Sequence, residues 1–210
     1  VTAALDKART SPVRGSDREA TPGWVFYAIL YSLYSPDLWP GLASAISKLE
    51  AGDPEEVFEL ADSYAERDED GNYSNLSDAN SAVNCADEDN SPSVARIRQL
   101  QTQWRKKYPL FGAPIAVGLL TCTVWPGKHD PFPTGRANGA PPILVVGTTG
   151  DPATPYEQAA RLADMLGVGV VLTWQGEGHT AYLGRSYCVN NAVGDYLIKL
   201  KVPRDGVRCR

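Results

Sequence analysis

The sequence predicts an α/β fold: a βαβα unit at its C-terminal end, preceded by a mostly helical region. Three observations predict it. Short continuous apolar runs at 142–147 and 169–174 show no polar alternation, as in strands buried on both faces. Each run is followed by a segment with apolar residues three and four apart, the period of a helix with one buried face. Upstream of about Tyr108, a small polar residue followed by proline recurs, each time opening a helical pattern.

Taken in order, Thr21-Pro22 opens a helix over 24–34, and Ser35-Pro36 opens a second bearing Leu38, Leu42, Ile46 and Leu49, closed by Gly52. Asp53-Pro54 opens a third with Val57, Phe58, Leu60, Ala61 and Tyr64, and Ser91-Pro92 a fourth with Val94, Ile97, Leu100 and Trp104. In each, proline stands at the first helical position, where its missing N–H costs nothing. Residues 67–90 read as a polar loop, and 111–138 as a Pro/Gly-rich stretch. The first strand, Pro142-Ile143-Leu144-Val145-Val146-Gly147, leads to a helix after Thr154-Pro155 with Ala159, Leu162, Ala163 and Leu166. The second, Gly169-Val170-Val171-Leu172-Thr173-Trp174, leads to a helix over 188–200. This order implies a right-handed parallel crossover in an open sheet. Two strands pack both faces only if more strands extend the sheet, so the unit reads as the end of a larger one. The expected division is a helical region at 1–138 and the βαβα portion at 139–210.

Composition narrows the function classes. A hydrophobic fraction of 43% supports a real core, and the net charge of −5 disfavours nucleic acid as a partner. No apolar run of about 18 residues is present, so no membrane span is expected. The four cysteines, Cys85, Cys122, Cys188 and Cys209, are scattered, with no C-x-x-C pair and no histidines around them, which argues against zinc. Their even number fits disulfides and an oxidising compartment, with three pairings open.

The chemistry gathers on the two loops at the carboxyl ends of the strands. The first holds Gly147-Thr148-Thr149-Gly150-Asp151-Pro152-Ala153-Thr154-Pro155, the second Gln175-Gly176-Glu177-Gly178-His179-Thr180-Ala181-Tyr182. An Asp and a His thus leave adjacent parallel strands at the same sheet edge. There Asp151 can hold the Nδ1–H of His179 and leave Nε2 to act as a general base. Taken singly, Asp151 would read as a turn cap and His179 as an ordinary loop histidine. The pair, in that order and each directly after a strand, points to catalysis.

The segment 142–182 resembles the C-terminal region of α/β-hydrolases. In particular it is similar to the tripeptidyl aminopeptidase-like (TAP-like) family of secreted actinobacterial serine proteases. The acid loop 147–155 and the histidine loop Gly176-Glu177-Gly178-His179-Thr180 carry the likeness. So do the ending from Cys188-Val189 to Cys209, and Leu33-Tyr34-Ser35-Pro36-Asp37-Leu38-Trp39 with Gly52-Asp53, which resembles the family's helical lid. The resemblance implies that 1–138 is a lid and 139–210 the C-terminal portion of an α/β-hydrolase. It also implies the disulfides Cys85–Cys122 and Cys188–Cys209, a peptide substrate, no cofactor, and a secreted or cell-envelope bacterial location.

Such a hydrolase needs its serine on a sharp strand-to-helix turn, G-x-S-x-G, and none occurs here. Ser186, in Gly184-Arg185-Ser186-Tyr187-Cys188, follows the histidine and lacks the final glycine. The nucleophile and the earlier strands are therefore expected on an N-terminal half of the same parent protein, and this chain alone is expected to be inactive. Asp87 and Glu88 are candidates for binding a substrate's ammonium group. The acidic run 66–71 has Ser77 where a calcium loop needs a bidentate Glu, so it reads as a solvated helix end and no metal is expected. Two other readings remain: an esterase or lipase of the same fold, and a non-catalytic interaction fragment.

Overall fold

The computed structural model describes residues 1–88, 91–131 and 133–210. The chain falls into two compact units, one taking in Ala3–Tyr64 with Thr134–Arg210, the other Ala65–Pro133. The breaks between these units fall at 64/65 and 133/134. The first three expected helices group with the strands, because the segment around Tyr34 packs directly on the histidine loop.

In the first unit come α1 (Thr2–Thr10), a short antiparallel hairpin of β1 (Val13–Arg14) and β2 (Glu19–Ala20), and α2 (Pro22–Leu33). A 3-10 turn (Pro36–Leu38) then leads into α3 (Trp39–Ala51), followed by α4 (Glu55–Ala65). The expected caps act, with one adjustment. Ser35 Oγ accepts the N–H of Asp37, so the second helix begins as the 3-10 turn. Gly52 closes α3 at φ +101°, a left-handed conformation that glycine adopts without steric cost.

Residues 143–209 build the sheet from β3 (Ile143–Gly150), α9 (Tyr156–Leu166), β4 (Gly169–Glu177), α10 (Tyr187–Lys199) and β5 (Val207–Cys209). The order is β3-β4-β5, all parallel, with Val146 opposite Leu172 and Gly147 opposite Thr173. The expected sheet of two strands thus has a third. β5 is only three residues long, and no apolar run announces it. Alternation along the strands assigns the faces. Thr173 meets α9 through a 2.8 Å bond between its Oγ1 and the Tyr156 hydroxyl, and a Cβ on Gly147 would stand 2.9 Å from Ala159. Leu172, fully buried, packs with Val189 and Val193 of α10 and with Cys209, against Leu144, Val146 and Trp174. The sheet is therefore covered on both faces, which is why its strands carry no polar alternation. The disulfide Cys188–Cys209 ties the start of α10 to the last strand.

The second unit holds α5 (Leu76–Asp87), α6 (Val94–Lys107), α7 (Gly112–Gly118) and α8 (Leu120–Thr123), with the disulfide Cys85–Cys122. Three expectations are corrected here. The stretch 67–90 is not all loop: α5 occupies 76–87, while Asp89 and Asn90 lie outside the described residues. α6 is capped by Ser93 Oγ on the N–H of Arg96, two residues beyond Ser91. The Pro/Gly-rich stretch contains α7 and α8; Gly112 is required there because a Cβ would meet the carbonyl of Trp104 at 2.1 Å. No described helix is long and apolar enough to cross a membrane.

Closing a loop of 21 residues restrains the unfolded chain by about 3 kcal/mol in the chain-entropy account. Replacing Cys188 and Cys209 together by serine is expected to lower the unfolding free energy by about that amount, measured by urea denaturation.

Candidate active site

β3 and β4 end in a clamp. The register shifts between Thr148 and Gly150, and at the shift Thr149 Oγ1 accepts the N–H of Gly176 and donates to its carbonyl, both at 3.2 Å. One step on, the N–H of Gly178 donates to the carbonyl of Gly150 at 3.2 Å. Asp151 and His179 are the next residues on the two chains, so the clamp sets them side by side although they are 28 residues apart.

His179 Nδ1 lies 3.0 Å from Asp151 Oδ1 and 3.1 Å from Oδ2. The Asp151 side chain is 4% exposed and that of His179 27%, so the carboxylate sits behind the imidazole. Oδ1 also accepts the backbone N–H of Ala153 (2.9 Å) and of Thr154 (2.8 Å). Oδ2 accepts the Thr154 hydroxyl (2.9 Å) and the N–H of Thr180 (3.4 Å). Asp151 thus caps its own turn as well as holding the histidine. Burial alone would disfavour the charged form. The N–H groups of Thr154 and Ala153, His179 and the Thr154 hydroxyl outweigh it and hold the carboxyl below the ordinary aspartate range. An ionised carboxylate only accepts, so the proton of the shared bond belongs to Nδ1.

The histidine loop is strained and backed. Gly178 has φ +109° and Thr180 φ +64°, the latter in a left-handed conformation that a β-branched residue rarely adopts. Such a conformation costs on the order of 1–3 kcal/mol and persists only where surroundings enforce it. The His179 N–H donates to the Tyr34 carbonyl at 2.9 Å, and the Tyr34 ring stands edge-on to the imidazole, centroids 5.1 Å apart. An open cleft of about 530 Å³ lies beside the pair, lined by Asp151, Thr154, Pro155, Thr180 and Tyr182 together with β3 and α9.

Ser186 is buried, and its Oγ accepts the Val189 N–H as the cap of α10, a structural role. Asp87 and Glu88 belong to the second unit: Asp87 is exposed at the end of α5, and Glu88 accepts a bond from the Ser91 hydroxyl at 3.1 Å. His129 is exposed, with Nδ1 2.9 Å from the Cys85 carbonyl oxygen. Sequence reasoning missed Thr154 and Tyr34. The spacing Asp-Pro-Ala-Thr, a carboxylate two and three residues before free amides, could have pointed to Thr154.

Residues 108–209 match the family profile described as TAP-like protein. These residues belong to the TAP-like family. Almost the whole chain is similar to longer proteins: it is 36% identical to carboxylesterase B of Mycobacterium tuberculosis and 35% identical to serine protease Hip1 of the same species, each over 96% of the chain. It is 28% identical, over 84% of the chain, to a tripeptidyl aminopeptidase of Streptomyces lividans. The chain spans 39% of the length of the two mycobacterial proteins and 33% of the Streptomyces one. The TAP-like region contains β3, β4 and both loops, so the α/β fold read from the sequence is that of the C-terminal part of an α/β-hydrolase.

The lowered Asp151 pKa has a pH consequence. A carboxyl whose folded value lies below its unfolded one stabilises the fold above the unfolded pKa, and that contribution disappears as pH falls through the folded one. The wild-type chain is therefore expected to be more stable than Asp151→Asn near neutral pH. The difference should shrink once pH falls below about 4 and close at still lower pH, read from urea midpoints at each pH.

Proposed function

We propose that this chain supplies the acid and the base of a Ser-His-Asp triad in a secreted serine peptidase of the tripeptidyl aminopeptidase type. In this reading His179 Nε2 takes the proton of a serine hydroxyl as it attacks the peptide carbonyl, then gives it to the leaving amine. Asp151 holds Nδ1–H and stabilises the imidazolium formed in between. The single observation that carries the reading is the 3.0 Å contact between Nδ1 and a buried, multiply hydrogen-bonded carboxylate at the ends of adjacent parallel strands. The names of the relatives, a serine protease and a tripeptidyl aminopeptidase among them, support the class of reaction.

The nucleophile belongs, in this proposal, to an N-terminal half of the same parent protein. Among the described residues β3 pairs with β4 alone, which leaves its outer edge to accept a further strand. The helical region ahead of the sheet acts as the lid over short peptides, and Asp87 and Glu88 take the substrate's free ammonium group. The two disulfides and the absence of a membrane-crossing helix among the described residues are compatible with export. A second reading, an esterase, is favoured by the likeness to a protein named carboxylesterase B.

The test uses the full-length parent. Asp151→Asn is expected to lower kcat for an amino-terminal tripeptide amide by roughly 10⁴-fold, and His179→Ala by at least as much, with the fold retained at assay temperature despite the lower stability of Asp151→Asn. Asp87→Asn with Glu88→Gln should raise KM for that substrate and leave an N-acetylated one unaffected. Full activity of either triad variant would refute the roles, and turnover of nitrophenyl esters without peptide amides would favour the esterase.

A further inference from the structure

Nothing in the Asp151–His179 contact explains what keeps the imidazole there. A single hydrogen bond fixes one atom of a ring that projects from a strained, partly exposed loop. The remaining restraint comes from a segment 145 residues earlier in the chain. Tyr34 follows the last residue of α2, with its own N–H bonded to the Tyr31 carbonyl at 3.1 Å. Its carbonyl accepts the His179 N–H, and its ring meets the imidazole with the two planes at 77°. The approach is so close that a Cβ on Gly178 would stand 2.7 Å from the Tyr34 carbonyl oxygen and 3.4 Å from Pro36. The same segment is anchored again by the ion pair of Asp37 with Arg185, beyond the histidine loop.

Tyr34 is itself supported from behind. Tyr64 of α4 lies against it at 6.2 Å, and Tyr27 of α2 against Tyr64 at 5.1 Å. Burial, with the neighbouring Tyr34 and Tyr27, pushes the Tyr64 hydroxyl above its ordinary pKa, so this phenol stays neutral through the physiological range. The ring that borders the imidazole is thus braced by an aromatic cluster.

We propose that Tyr34 is a positioning residue for His179: its carbonyl fixes the loop, and its ring blocks the rotamers that would swing the imidazole off Asp151. The proposal rests on the Asp151–His179 pair described above. It assigns Tyr34 no contact with the reacting atoms. It makes the end of α2 part of what determines which nitrogen of His179 carries the proton.

The experiment is long-range proton–nitrogen NMR of the histidine rings in the 210-residue chain, at a pH where they are neutral. The chain has two histidines, and His129, whose Nδ1 faces the Cys85 carbonyl, is the internal control. His179 of the wild type is expected in the Nδ1–H tautomer. Tyr34→Phe should preserve it. Tyr34→Ala should lower the Nδ1–H population by at least about twofold, toward the Nε2–H form, with His129 unchanged. If Tyr34→Ala does not fold, Tyr34→Leu, which keeps apolar bulk without a ring, is read in its place with the same expectation. A folded ring-less variant that keeps the wild-type tautomer overturns the positioning role and leaves the acid–base pair standing. A loss in Tyr34→Phe equal to that in Tyr34→Ala overturns the role of the ring. A wild-type His179 lacking the Nδ1–H tautomer removes the pair itself.

Discussion

The hydrogen bond from His179 Nδ1–H to the Asp151 carboxylate is the interaction on which the site depends, and it is made by backbone more than by side chains. Asp151 is the first and His179 the second residue beyond neighbouring parallel strands, and the strands are locked at their ends by Thr149 against Gly176 and by Gly178 against Gly150. The carboxylate is spent on four further donors, so it cannot rotate away without leaving Ala153, Thr154 and Thr180 unpaired. The carboxylate itself is buried, at 4% exposure, and a buried acceptor left without its donors costs about 1–3 kcal/mol, which holds it in this orientation. The imidazole is the freer partner, and its other restraints come from outside the sheet.

The rest of the first unit can be understood as what keeps those two strand ends still. Glycine at 147 lets α9 lie close on β3, and glycine at 169 does the same for β4, where a Cβ would meet the backbone of Ala163 at 2.3 Å. The opposite face is sealed by Leu172 under Val189 and Val193, and Cys188–Cys209 fastens that helix to the far strand. α2 and the 3-10 turn then press on the histidine loop from the side. The strained loop is held by the Tyr34 carbonyl on one side and by the bond from Gly178 to Gly150 on the other.

Much of this was legible in the sequence, for reasons that differ by element. β3 and β4 announce themselves because strands buried on both faces must be apolar throughout. Asp151 and His179 could be paired because parallel crossover topology sends both loops to one edge. Proline after a small polar residue marked α2 and α4 correctly. It misplaced the start of α6, where Ser93, not Ser91, is free to reach an amide. α5 escaped notice because its apolar positions, Leu76, Ala79, Val83 and Ala86, are mostly small and lie among Asn, Ser and Asp; it buries Cys85, which the disulfide to Cys122 holds. β5 is too short to pattern. The contact of Tyr34 with His179 had no local signal at all, since it depends on how α2 is packed rather than on what surrounds it in the chain.

The central claim is that Asp151 and His179 activate a hydroxyl carried by another stretch of the parent protein. Reacting the full-length parent with a fluorophosphonate, and identifying the modified residue by peptide mass spectrometry, tests it most directly. The account predicts one labelled serine, in a G-x-S-x-G turn outside these 210 residues, whose labelling nearly ceases when His179 is replaced. Labelling of Ser186 or any other serine of this chain, or labelling indifferent to His179, would contradict it.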